Sequence, residues 1–121
     1  ALGKFFLSYE KYFILPHQDP RAETNWLAFP LTIRPGAPFS RLEITKYLED
    51  RGIQTRPVFT GNVLKQPAFN HIEHKRTLAK GYPVTDLIMK NGFVLGCHQG
   101  LKPGQLKYLL ATLASFLKNY Q

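Results

Sequence analysis

The clearest apolar periodicity lies near the end of the chain. Leu106, Leu109, Leu110, Leu113, Phe116, Leu117 and Tyr120 recur every three or four positions. This spacing predicts an amphipathic helix, opened by Pro103, with a broad stripe facing the core. A second helical stripe stands at the start, where Leu2, Phe5, Phe6, Tyr9, Tyr12 and Phe13 share one face of a helix over 2–13 that Pro16 closes. No capping residue precedes that stripe, so it reads as the tail of a longer helix.

Between the two stripes the period changes. Leu27, Phe29, Leu31 and Ile33 alternate within 25–34 and predict a strand. Pro30 removes a backbone donor, which puts that strand at a sheet edge or at a bulge. Trp26 falls on its other face, as core or as a platform for a ligand. Ser40 and Glu43 are spaced as a capping box, and the helix they open runs to about Arg51, burying Ile44, Tyr47 and Leu48. Gly52 supplies the left-handed residue that ends it. A second alternating run over 53–59 is followed by the turn Thr60-Gly61-Asn62 and by a helical turn or ordered loop over 63–69. The segment 70–80 is polar and solvent-facing. Val84, Leu87 and Ile88 predict a short helix between Pro83 and Gly92, and 93–98 is a compact apolar strand. The expected fold class is therefore α/β (α+β), a small three-stranded sheet with packed helices.

Composition narrows the function. A chain of 121 residues is one domain with one modest core. No apolar run has the length of a membrane span, and the opening stripe is amphipathic rather than a secretory leader. The single cysteine, Cys97, excludes an intramolecular disulfide framework, and a small buried residue is its expected role. These features lead to the expectation of a cytoplasmic protein. The net charge of +8 argues for an anionic partner, yet the basic residues are scattered and form no nucleic-acid motif. His71 and His74 with Glu73 between them have metal-ligand spacing, but no third ligand is signalled and no metal is expected.

Candidate chemistry gathers at 52–69. Arg56 stands among apolar and β-branched neighbours, as a surface strand residue or as a guanidinium aimed at a phosphate or carboxylate. The Gly61-Asn62 turn leaves an amide at the end of a strand, where sites on α/β scaffolds are built. His98-Gln99-Gly100 is a second polar strand end. No glycine-rich phosphate loop follows a strand, no Ser/His/Asp set is signalled, and no catalytic residue is expected in this chain.

The stretch Thr55-Arg56-Pro57-Val58-Phe59-Thr60-Gly61-Asn62, followed by Gln66-Pro67-Ala68-Phe69, resembles the C-terminal domain of the DegT–StrS family of vitamin B6-dependent nucleotide-sugar enzymes. The resemblance is greatest to the branch that removes the 3-hydroxyl of a nucleotide-linked 4-keto-6-deoxyhexose. Asn25-Trp26-Leu27-Ala28-Phe29-Pro30, Thr85-Asp86 and Gly96-Cys97-His98-Gln99-Gly100-Leu101 support it, so that it covers nearly the whole chain. The resemblance implies a small domain over 1–121, with 1–15 as the tail of an interdomain helix. It also implies a separate large domain that binds pyridoxal or pyridoxamine phosphate and carries the catalytic lysine, or the histidine that replaces it in the dehydratases. No residue here matches those motifs, so this chain is expected to bind no cofactor itself. The implied partners are its own large domain, a nucleotide-sugar substrate and a second copy in a homodimer. Arg56, Asn62, Gln66 and His98 are the candidate substrate-binding residues. Two readings of other classes stand beside this one: a free-standing basic module that binds nucleic acid, and a dimerisation module packing its aromatic helix stripe on a partner.

Overall fold

The computed structural model describes residues 1–69, 71 and 81–121. In chain order the elements are α1 (Leu2–Leu7), β1 (Phe13–Ile14), β2 (Ala28–Ile33), α2 (Arg41–Glu49), β3 (Thr55–Pro57), two 3-10 turns (Val63–Lys65 and Pro67–Phe69), α3 (Pro83–Asn91), β4 (Gly92–Gly96) and α4 (Pro103–Lys118). The strands form one antiparallel sheet in the order β1-β2-β4-β3. The sheet has four strands rather than the expected three, and the added strand comes from the opening aromatic stripe.

That stripe is helical only to Leu7. The chain then turns, and Phe13 and Ile14 pair with Ile33 and Thr32. Arg34 makes the turn possible. Its backbone N–H donates to the Tyr12 carbonyl at 2.8 Å, and its Nε donates to the carbonyls of Glu10 at 2.8 Å and Phe13 at 3.2 Å. Phe and Tyr are mediocre helix formers and good strand formers, so tertiary hydrogen bonds override the helical spacing at little cost.

The other elements follow the pattern closely. Ser40 and Glu43 form both halves of the capping box at the start of α2, and Gly52 sits at φ +72° past its end. Pro30 occupies a bulge-free register opposite Val94. β1 reaches only Thr32 and Ile33, so the outer side of β2 at Pro30 has no strand among the described residues and the missing donor leaves no ladder bond unmade. Leu27 precedes the strand and is 86% exposed, against the expectation that it joins the inward face.

Phe29, Leu31 and Ile33 of β2 share one face with Phe93 and Leu95 of β4 and Thr55 of β3. α2, α4 and α1 close over this face, and the core of Phe6, Phe13, Leu31, Ile44, Leu48, Phe93, Leu95, Leu113 and Leu117 lies between. Phe39 joins the layers, with ring centroids 5.8 Å from Phe13, 5.2 Å from Phe116 and 5.0 Å from Tyr120. Leu2, Phe6, Tyr12 and Phe13 of the aromatic stripe are thus buried inside the molecule, and Phe5 and Tyr9 are half-buried against the same core.

The opposite face carries Ala28, Pro30, Val94 and Arg56, with Pro30, Val94 and Arg56 in one cross-strand row. A Cβ on Gly92 would meet the Ile88 carbonyl at 2.5 Å and Val58 at 3.0 Å, which places α3 over one end of this face. Pro30 and Val94 remain only half-buried.

Candidate functional site

The four candidate residues separate into two pairs. Asn62 and Gln66 turn into the loop that follows β3. Asn62 is 6% exposed; its Oδ1 accepts from the Leu64 N–H at 3.1 Å, capping the first 3-10 turn, and its Nδ2 donates to Asp86 Oδ1 at 2.7 Å. Gln66 Nε2 donates to the Thr60 carbonyl at 2.8 Å. Lys65 Nζ reaches the other Asp86 oxygen at 2.8 Å. The Asn62 hydrogen bond, with Lys65 adding to it, holds the Asp86 carboxyl below the ordinary carboxylate value. These contacts fasten the loop to the first turn of α3. The sequence pattern marks Asp86 only as part of the pair Thr85-Asp86. Its partners lie more than twenty residues away, and no local pattern joins them.

Arg56 and His98 turn outward. Both line a cleft of about 600 Å³ beside the β3–β4 edge, with Gln54, Gln105 and Tyr108. Arg56 is exposed on the edge strand. Its Nη1 donates to the Thr55 carbonyl at 3.0 Å, and the Gln54 amide, with its oxygen turned to the guanidinium, accepts from Nη2 at 2.7 Å. No acidic side chain pairs with Arg56 among the described residues, so its charge is available to an anion. β4 ends at Gly96, two residues short of the expected boundary, and His98 lies in the following loop, where Nδ1 accepts from the Gly100 N–H at 3.0 Å. That bond leaves Nε2 to carry the proton and to face outward as a donor.

A larger cleft, of about 870 Å³, opens between α1, β1 and the end of β4, and Trp26, Phe29, Leu101, Cys97 and His98 line it. Trp26 is half-buried, its ring centroid 6.3 Å from that of Phe29, and its carbonyl accepts from Cys97 Sγ at 3.3 Å. Burial pushes the Cys97 thiol up from its ordinary value, the behaviour of a packed residue rather than a nucleophile.

One outward residue was missed by the pattern. Phe59 is 93% exposed with φ +47°. Periodicity assigned it to the strand, but β3 stops at Pro57.

The described residues do not fit a pyridoxal phosphate cradle. Every described lysine is exposed. The buried polar side chains Thr55, Asn62 and Thr112 each hydrogen-bond within the chain, and no buried side-chain nitrogen or oxygen among the described residues lacks a partner. No group of three or more His, Cys, Asp or Glu among them is placed to hold a metal. His74 and Glu73 lie outside the described residues, and His71 is exposed. No helix among the described residues is long and apolar enough to cross a membrane.

The four-stranded antiparallel sheet with its core helices on one face matches the fold of solved fold-type-I pyridoxal phosphate enzymes. Escherichia coli GDP-4-keto-6-deoxy-D-mannose-3-dehydratase with bound hydrated PLP superposes on 92% of this chain and 28% of its own, with a TM-score of 0.72 at 25% identity. The model of the DegT/DnrJ/EryC1/StrS aminotransferase family matches residues 6–114, and the chain belongs to that family. It is 29% identical over 104 residues to the dTDP-4-dehydro-2,6-dideoxy-D-glucose 3-dehydratase of Saccharopolyspora spinosa, covering 86% of this chain and 22% of that protein. It is 32% identical over 97 residues to the GDP-4-keto-6-deoxy-D-mannose 3-dehydratase of Yersinia pseudotuberculosis, covering 79% and 24%. The chain therefore spans about a quarter of the length of these relatives.

Proposed function

We propose that this chain is the C-terminal small domain of a pyridoxal or pyridoxamine phosphate-dependent enzyme that removes the 3-hydroxyl of a nucleotide-linked 4-keto-6-deoxyhexose. The observation that carries the reading is the agreement between the family match over 6–114 and the relatives, named as 3-dehydratases, that align with most of the chain. The nucleotides in those names differ, while a 6-deoxy sugar with a keto group at C4 is common to both. The reading accordingly takes the sugar as the constant part of the substrate and leaves the nucleotide open.

Catalysis belongs to the large domain in this reading, where the cofactor supplies the electron sink for breaking the C3–O bond. The present chain binds and orients. Arg56, exposed and without a carboxylate partner among the described residues, meets the diphosphate. His98, with Nε2 as donor, meets a sugar oxygen. Asn62 and Gln66 act from behind, holding the loop that follows Arg56. The net charge of +8 favours the approach of an anionic substrate. The functional unit is a cytoplasmic homodimer.

The test is to incubate the full-length protein with GDP- and dTDP-linked 4-keto-6-deoxyhexoses and to analyse the sugar by mass spectrometry. Loss of the 3-hydroxyl oxygen is the expected result. Replacement of the 4-keto oxygen by an amine would make the enzyme an aminotransferase, and no conversion with the cofactor bound would overturn the reading.

A further inference from the structure

Phe59 is the only non-glycine at positive φ among the described residues, at +47°, and its ring is 93% exposed. Bulky side chains are rare in this region because Cβ crowds the following carbonyl. Such a residue persists where its surroundings over-determine it, and sites are where that occurs. The surroundings here do so. Gly61, at φ +66°, presses against α3 so closely that a Cβ would lie 2.4 Å from Met89 Cγ. Gln66 holds the Thr60 carbonyl at 2.8 Å, and Asn62 is tied to Leu64 and Asp86 at 3.1 and 2.7 Å. The loop after Phe59 is pinned, β3 is paired to β4 before it, and the ring between them is held out into water.

Nothing in the described chain repays either the backbone strain or the wet ring. Asn62 and Gln66 hydrogen-bond within the chain, whereas Arg56 and Phe59, three positions apart in sequence, are both exposed. Resting on the function proposed above, we propose that Phe59 is the platform on which the hexose ring of the nucleotide-sugar packs while Arg56 takes the diphosphate. An aromatic face suits the C–H face of a deoxyhexose, whose C6 carries no hydroxyl. A ring already fixed by its loop loses little freedom on binding, so the contact adds to affinity at small entropic cost. Charge agrees with this, since Arg56 has no acidic partner among the described residues and the chain is basic.

The experiment uses the full-length enzyme and its Phe59→Ala, Phe59→Leu and Phe59→Gly variants. The probes are GDP- and dTDP-linked 4-keto-6-deoxyhexose, with GDP and dTDP alone as controls. Phe59→Ala and Phe59→Gly should weaken nucleotide-sugar binding roughly three- to tenfold, the range of a single aromatic stack, and Phe59→Leu less. Affinity for the bare nucleoside diphosphates should not move. The melting temperature of Phe59→Gly should equal or exceed wild type, since glycine accepts the positive φ. Unchanged nucleotide-sugar affinity in all three variants would overturn the inference while leaving the proposed function intact. So would equal losses for the sugar-linked and bare nucleotides, which would put the ring on the base or the diphosphate. A lowered melting temperature or changed oligomeric state with normal affinity would also overturn it, making Phe59 an anchor between protein surfaces. A wild-type enzyme that binds no nucleotide-sugar would remove the proposed function, and this inference with it.

Discussion

Removing the Asn62 side chain should loosen two elements at once, because its amide joins the Leu64 N–H to the Asp86 carboxylate. Asn62→Ala leaves both partners without their buried neighbour, and a loss of roughly 1–3 kcal/mol in chemical denaturation is expected. The same variant carries a pH signature. Asp86 titrates below its ordinary 3.8 in the folded chain, so its stabilisation is fully present above that value and is lost as pH falls through the lower folded value. In Asn62→Ala the Asp86 titration, followed by carboxyl NMR, should move up toward 3.8, though Lys65 still holds it partly down. Arg56 behaves in the opposite way. Among the described residues its bonds run to the adjoining Thr55 carbonyl and Gln54 amide, so Arg56→Ala should leave the melting temperature unchanged. In the full-length enzyme it should lower kcat/KM by one to two decades, the effect of losing a charged hydrogen bond of about 1.5–3 kcal/mol. A lower melting temperature with normal turnover would make Arg56 structural.

At the scale of elements, α4 is the main support of the core face. Leu113 is 0% exposed, and Leu113→Ala should cost roughly 2–5 kcal/mol. Leu110, expected to be equally buried, is only half-buried at the edge of the stripe, so Leu110→Ala should cost clearly less in the same denaturation series. Near-equal values would mean that another surface covers Leu110 in solution. At the start of α2, Ser40→Ala removes the hydroxyl that accepts from the Glu43 N–H at 3.2 Å, and about 1 kcal/mol should be lost.

For the molecule as a whole, the proposed division of labour has a direct consequence. The 121-residue chain alone should show no aminotransferase or dehydratase activity and should form no single stoichiometric aldimine with pyridoxal phosphate, as read by absorbance and peptide mapping. All its described lysines are exposed and none sits in a cradle. A specific aldimine at one lysine would overturn the assignment of cofactor binding to the large domain. Its charge of +8 makes some attraction to nucleic acid unavoidable at low salt. That attraction should vanish near physiological ionic strength, and tight binding that persisted would favour the nucleic-acid module instead.

Where elements were determined by local physics, they were legible in the residues themselves. α2, α3 and α4 carry their own caps, prolines and stripes, and the Gly61-Asn62 turn carries its own left-handed glycine, so no distant contact was needed to specify them. The family, too, was readable from the 55–69 motif. Three features were decided by tertiary structure alone. Residues 13–14 became a strand because Arg34, some twenty positions away, binds the backbone of the turn before it. Asn62 and Gln66 became braces rather than open hydrogen-bonding groups because α3 and the Thr60 carbonyl lie within their reach. Phe59 was turned outward because the loop behind it is pinned to α3. Periodicity reports which face of an element a residue occupies, but it holds no information about which distant backbone or side chain will satisfy a polar group. That depends on the packing of the whole molecule.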